Sequence, residues 1–258
     1  MHHPVKEFTK LDSTNSEAWR LVDLGERGPL WIRADRQDVG RGRSARSWLS
    51  PSGNLFATFL FSPQCAMADV HQLSLVVGIA ACDTVRAFLE GTKCGGICRL
   101  KWPNDLMIGT AKAGGILVES ALRGQEYLAI VGCGINIAIK PEIEGREVTA
   151  MFEYGARPRP QAFLELLDQN LCECLKLWDN GAGFDRVRQM WLQRSFPLGV
   201  EMSIKTNNGE IGGTFAGLAE DGALLLVLAT GRRLRFNFGD VAIGSNAAKP
   251  EHQDDNKN

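Results

Sequence analysis

Apolar positions along the chain change period several times, and each change marks an element. Residues 5–11 and 30–34 alternate as short strands do, and between them a helical period starts near Thr14 and runs to about Leu24. Thr14 and Glu17 have capping-box spacing, which fits a helix start at that point. Residues 35–53 then break the pattern, with Gly40, Gly42, Gly53 and Pro51 standing among Arg36, Arg41, Arg43 and Arg46. A loop of that length between well-patterned elements is expected to be functional or mobile. Asn54 to Phe61 reads as an apolar strand. Asp69 is expected to cap a helix running to about Leu89, with Leu73, Val76, Val77, Ala80, Ala81, Val85 and Phe88 inward. Strands are expected at 98–101, 106–108, 114–121 and 126–133, and helices at 161–178 and 183–194.

The pattern changes again at Pro197. From there to Ile243 the chain reads as four or five short strands, with Gly209, Gly212, Gly213, Gly222, Gly231 and Gly239 at the turns, which predicts a small β-barrel. The expected organisation is a catalytic domain over 1–196, a barrel over 197–245 and a polar, disordered tail over 246–258.

Composition narrows the classes. The 258 residues are 44% hydrophobic, enough for a sizeable core, and the formal net charge of −1 gives no global field for nucleic acid or an anionic membrane. Seven cysteines, odd in number and mostly in or beside apolar segments, read as reduced thiols of a cytosolic protein. Cys94 and Cys98 have the look of half a zinc site, but no second pair stands at matching spacing and the histidines (2, 3, 71, 252) are scattered. No apolar segment follows Met1, and the longest apolar run, Ala223–Ala229, is too short to span a bilayer. A soluble, cytoplasmic chain is expected, with neither DNA nor a membrane as partner.

Candidate chemistry concentrates in Lys101-Trp102-Pro103-Asn104-Asp105 and in Lys112-Ala113-Gly114-Gly115-Ile116-Leu117-Val118-Glu119. A lysine beside two glycines in an apolar run lets backbone close on a ligand while one fixed cation meets an anion. Pro103 holds Trp102 extended, so Asn104 and Asp105 are expected at a strand end with their side chains free.

Four segments in order, Ser13-Thr14-Asn15, Gln37 through Trp48, Lys101 through Glu119, and Gly132-Cys133-Gly134-Ile135-Asn136-Ile137, closely resemble the catalytic domain of biotin protein ligases. The resemblance spans roughly residues 5 to 245. It implies an α/β (α+β) catalytic domain with a mixed sheet flanked by helices, as in class II synthetase-like biotin and lipoate ligases, and a small C-terminal β-barrel. The implied reaction joins biotin and ATP into biotinyl-adenylate, then passes biotin to a lysine of a biotin carboxyl carrier protein. Lys112 matches the lysine that bridges carboxylate and α-phosphate, two anions that must meet. Ser13, Thr14, Asn15 and Gln37 match the groups around the ureido ring, and Gly132, Gly134 and Ile135 the strand under the bicycle. Gly40, Arg41, Trp102, Gly114, Gly115 and Leu117 complete the implied biotin-facing set. On the ATP side the resemblance implies Arg41, Arg43, Arg46, Trp48 near the adenine, Asn104 and Asn136, with Asp105 bearing Mg²⁺. The family's usual loop reads Gly-Arg-Gly-Arg-Arg-Gly-Arg, whereas Ser44 and Ala45 stand at the fifth and sixth places here. Looser retention of the adenylate is the expected consequence.

Three rivals compete with that reading. A lipoate or octanoate ligase or transferase on the same scaffold takes a flexible acyl chain and has no need of the polar Ser13–Asn15 and Gln37 set. A biotin-sensing repressor needs a helix-turn-helix of about sixty residues, and only twelve residues precede Ser13. A pure binding module lacks turnover. A homodimer through a sheet edge is compatible with the sequence but not dictated by it.

Overall fold

A computed structural model describes residues 3–92, 98–206 and 209–244; Cys94, His2, His252 and the tail over 246–258 lie outside the described residues. The elements run β1 (Val5–Leu11), α1 (Thr14–Asp23), β2 (Leu30–Gln37), β3 (Leu55–Phe61), α2 (Leu73–Leu89), β4 (Cys98–Lys101), β5 (Asp105–Ile108), β6 (Ala111–Arg123), β7 (Glu126–Ile135), α3 (Pro160–Trp178) and α4 (Phe184–Arg194). They finish with β8 (Glu201–Thr206), β9 (Gly209–Leu218), β10 (Leu224–Val227), β11 (Arg233–Phe236) and β12 (Asp240–Ile243).

Seven strands form one sheet in the order β1-β2-β3-β7-β6-β5-β4. β1 and β2 pair in parallel because α1 crosses between them, and the remaining neighbours are antiparallel. On one face Ala18 and Val22 of α1 pack on Ile32, Leu60, Leu128 and Ile130. On the other, Trp31, Ala57, Phe59, Val131 and Cys133 meet a core shared with α2, α3 and α4. Both faces are covered, so β3 and β7 read as near-continuous apolar runs rather than as alternation. The stretch Met67–Leu89 is the one helix among the described residues with the length and composition to cross a bilayer, but most of it is buried in this core.

Two expected caps are absent. Ser13 is the N-cap of α1 without a side-chain cap bond, Glu17 pairs instead with Arg20, and Thr14 Oγ1 turns toward Gln37 Oε1 at 3.1 Å. A 3₁₀ turn over Met67–Gln72 precedes α2, where Asp69 accepts from the Gln72 side chain rather than capping the helix.

The C-terminal strands form an antiparallel sheet in the order β11-β10-β9-β8-β12, and this corrects the expected barrel: no closed barrel forms among the described residues. β12 carries the edge that closure would need, and that edge faces the first sheet instead. The Val241 carbonyl accepts from Lys101 Nζ at 3.0 Å, and the Gly239 carbonyl from Arg43 at 3.5 Å. Ile204, Phe215 and Leu224 of this sheet belong to the same apolar cluster as α2 and α4.

Candidate functional site

On the α1 face of the seven-stranded sheet, two glycines of β7 leave room for side chains to lie flat on the backbone. A Cβ at Gly132 would stand 2.4 Å from Asn15 Oδ1, and one at Gly134 would stand 2.7 Å from Trp48 Nε1. Between these two contacts and the edge of β12 opens a cavity of about 1040 Å³. One end is polar. Gln37 Oε1 accepts from the Thr14 amide at 2.8 Å, and the Thr58 hydroxyl lies 2.7 Å from both Thr14 Oγ1 and Asn15 Oδ1. Ser13 lines the same end. The missing caps of α1 make sense here, since these side chains serve the cavity wall instead of the helix.

The other end is charged. β4, β5 and β6 bring Asp105 between two lysines: Lys101 Nζ lies 3.0 Å away, and Lys112 Nζ makes a short ion pair with it. Burial pushes Lys112 below the ordinary lysine range, and the adjacent Asp105 charge offsets this only in part. Burial alone would raise Asp105, but the two lysine charges and their hydrogen bonds outweigh it and hold the carboxyl below its usual value. Lys112 Nζ also stands 5.4 Å from the centre of the Trp48 ring, a cation–π contact across Gly115. Its backbone is fixed on both sides, with the Lys112 amide donating to Glu147 and its carbonyl accepting from Thr149, each at 2.9 Å.

The arginine loop arches over this end. Arg43 Nη1 donates to Asn104 Oδ1 at 3.0 Å, Arg46 forms a two-point pair with Asp240, and Arg41 donates to Glu119 at 2.9 Å. Ser44 and Ala45 hold φ of 54° and 56°, in the left-handed region. Ala45 thus bears strain where the family run has glycine.

The cavity wall includes Ser13, Thr14, Asn15, Gln37, Arg41, Arg43, Arg46, Trp48, Trp102, Asn104, Asp105, Lys112, Gly115, Leu117, Gly132 and Gly134. Four residues expected at the site do not line it. Gly40 lies under the loop against the Trp48 carbonyl and Ser50; Gly114 and Ile135 pair with each other across β6 and β7 and face the core. Asn136 sits behind Lys112, donating to the Thr149 carbonyl at 3.0 Å and accepting at its own carbonyl from the Met151 amide. Asn104, expected to be free, is committed, since its Nδ2 donates to the Ile116 carbonyl at 2.7 Å. Trp102 is wall and anchor at once, 4% exposed with Nε1 donating to the Gly222 carbonyl at 3.0 Å.

Sequence reasoning missed two parts of the wall: the segment Ile143, Gly145–Val148 behind Lys112, and Lys205 with Asp240–Gly244 from the second sheet. The one available signal was an acid, Asp240, after Gly239, which matches an arginine of the loop only once folding has joined them. Three buried side-chain polar atoms lack a protein partner among the described residues, and two of them, Trp48 Nε1 and Asn136 Oδ1, belong to this site or its support. Elsewhere, His3, Asp168 and Cys172 cluster, but Asp168 Oδ1 (2.6 Å) and Cys172 Sγ (3.9 Å) both reach the same ring nitrogen, Nδ1. That geometry is a hydrogen-bonded tie between the N-terminal segment and α3, not a relay through both ring nitrogens.

Fold and cavity together define an α/β protein that binds a small molecule, with a neutral polar end and a cationic, glycine-floored end suited to an anion. Comparison with known proteins gives the class its family. Residues 7–136 match the biotin/lipoate A/B protein ligase family and residues 198–244 the biotin protein ligase C-terminal domain. The chain is 36% identical to the biotin–[acetyl-CoA-carboxylase] ligase of Paracoccus denitrificans, over 88% of its own length and 95% of that protein. It is 27% identical to the bifunctional ligase/repressor of Bacillus subtilis, over 91% of its length and 72% of that one. A solved biotin protein ligase of Aquifex aeolicus, in complex with biotin and ATP, superposes with a TM-score of 0.77 at 27% identity, covering 93% of this chain and 98% of that one. The chain belongs to the biotin protein ligase family.

Proposed function

We propose that this cavity joins biotin to ATP as biotinyl-adenylate and then presents the activated acyl group to a lysine of a biotin carboxyl carrier protein. The observation that carries the reading is that a polar end and a cationic end share one cavity of about 1040 Å³, room for two ligands laid end to end. We assign the ureido ring to Ser13, Thr14, Asn15 and Gln37, with the bicycle over Gly132 and Leu117. The biotin carboxylate then reaches Lys112, where one cation serves both it and the α-phosphate. Lowering the repulsion between two approaching anions is the main task of catalysis here, and a preorganised cation in a dry site does it most strongly. Arg43 and Arg46 are assigned to the adenylate and Trp48 to the adenine. Pyrophosphate leaves, and the mixed anhydride stays under the loop until a carrier amine attacks its carbonyl carbon and AMP departs.

Magnesium fits as an ion brought by the nucleotide phosphates. Asp105 is already paired with Lys101 and Lys112, Asp240 with Arg46, and Glu147 accepts from the Thr110 hydroxyl at 3.2 Å, so the wall's carboxylates supply no ready-made cage. When bound, the ion would add charge neutralisation at the phosphates, and Asp105 is the residue that would hold it. The six described cysteines are free thiols, which supports a cytoplasmic setting. Edge strand β1 offers unpaired backbone groups for a homodimer. The division at residue 196 belongs to the same reading, with the C-terminal sheet completing the site. Biotin-dependent exchange of labelled pyrophosphate into ATP tests the proposal: exchange with biotin and none with lipoate or octanoate is expected, and the reverse pattern overturns it.

A further inference from the structure

Glu119 ends the glycine-containing stretch of β6 and lies outside the cavity wall, yet three donors, two from α1 and one from the arginine loop, converge on one of its oxygens. Oε2 accepts from Asn15 Nδ2 at 3.0 Å, from Trp19 Nε1 at 3.2 Å and from Arg41 Nη2 at 2.9 Å. We infer that Glu119 is a positioning residue that sets the donor and acceptor polarity of the ring-binding end of the cavity and ties that end to the arginine loop.

A carboxylate only accepts, so it draws the NH₂ of Asn15 to itself and forces Oδ1 inward. Oδ1 then takes the single proton of the Thr58 hydroxyl, 2.7 Å away and fully buried. With that proton used, the Thr14 hydroxyl must donate across the 2.7 Å contact to Thr58 Oγ1, and Gln37 Oε1 is held by the Thr14 amide at 2.8 Å. Gln37 in turn presents its Nε2 to Ser50 at 2.9 Å. The donor order from Asn15 through Thr58 to Thr14 therefore starts at Glu119, while the Thr14 amide fixes Gln37. A flipped Asn15 would turn its oxygen toward the Glu119 carboxylate, like group against like, and its NH₂ toward Thr58.

The same oxygen holds Arg41, the first arginine of the loop, in a pair whose side chains are 38% and 25% exposed. Filling the ring end of the cavity and fastening the loop thus draw on one carboxylate. The inference rests on the biotin ligase reading and deepens it. Glu119 touches no substrate in that reading; it acts through Asn15 and Arg41.

The test uses Glu119→Ala, Glu119→Gln, Arg41→Gln and the Glu119→Gln/Arg41→Gln pair. It measures KM for biotin and kcat in pyrophosphate exchange, and the release rate of preformed adenylate. Glu119→Ala should raise KM for biotin and speed release, each on the order of tenfold, while kcat at saturating biotin stays within about twofold because Lys112 is untouched. Glu119→Gln keeps a carbonyl acceptor for Asn15 and should restore KM but not slow release, since the charge facing Arg41 is gone. Release from the double variant should match that from Arg41→Gln alone. If Glu119→Ala lowers only the melting temperature, or does not fold while Glu119→Gln leaves release unchanged, or if the two single effects multiply in the pair, the inference is overturned. Wild-type protein without biotin-dependent exchange overturns the ligase reading itself, a separate outcome.

Discussion

Replacing Gly132 with alanine places a methyl group where Asn15 now lies, 2.4 Å from Oδ1, 3.1 Å from Cγ and 3.3 Å from Nδ2. Non-bonded heavy atoms settle at about 3.5 Å, so the Asn15 amide must retreat by roughly 1 Å. It has little freedom to do so, because Thr58 holds Oδ1 at 2.7 Å and Glu119 holds Nδ2 at 3.0 Å. A shift of that size breaks at least one of these bonds. Leaving a buried polar partner unmet costs about 1–3 kcal/mol, which corresponds to a rise of about 5- to 150-fold in the biotin dissociation constant. The reacting end is unaffected, so kcat at saturating biotin should hold within about twofold. Isothermal titration with biotin and exchange kinetics measure the two quantities. Melting curves confirm folding, with a drop of about 2–4 °C per kcal/mol expected for a chain of this size. Gly212→Ala is the control, since nothing lies within 4 Å of its added Cβ. Unchanged biotin affinity in Gly132→Ala would refute the placement of Asn15 at the ring-binding end.

Lys112→Ala should cut exchange by about 10²–10³-fold and leave biotin affinity near wild type, with Asp105 still paired to Lys101; near-normal exchange would remove Lys112 from the chemistry. Burial holds Lys112 below its ordinary value of 10.5, so exchange should fall on the alkaline side at a pH below 10.5. In that same window the unfolded chain binds the proton that the folded one has lost, so the contribution of Lys112 to stability rises with pH while activity falls; parallel pH profiles of exchange and of urea midpoint check the divergence. Arg43→Gly should still permit activation but release the adenylate about tenfold faster, because bonds to Asn104 and to the Gly239 carbonyl are lost together; equal release rates for variant and wild type would contradict it.

Element type was largely legible because both sheet faces are covered and the helices are amphipathic or fully buried. The helix over 161–178 and the strand over 126–133 appear at 160–178 and 126–135. The start of α1 misled, since Ser13, Thr14 and Glu17 spell a cap in one dimension, yet Ser13 and Thr14 face the cavity, where Gln37 and Thr58, distant in sequence, meet Thr14, and Glu17 pairs with Arg20. The barrel failed for a related reason: spacing of glycines predicts hairpins but says nothing of whether the last strand meets the first or docks elsewhere. At the site, the local motifs around Lys112 and the glycine pair were visible. The partnership of Arg46 with Asp240 was not, because nothing near either residue refers to the other.

The most direct measurement mixes the purified protein with biotin, ATP, magnesium and a biotin carboxyl carrier domain, and follows the carrier by intact mass. One biotinyl group should appear on a single carrier lysine, with none when that lysine is arginine and none when Lys112 is alanine. Transfer of lipoyl or octanoyl groups in its place, or no transfer from any of the three acids, would contradict the assignment.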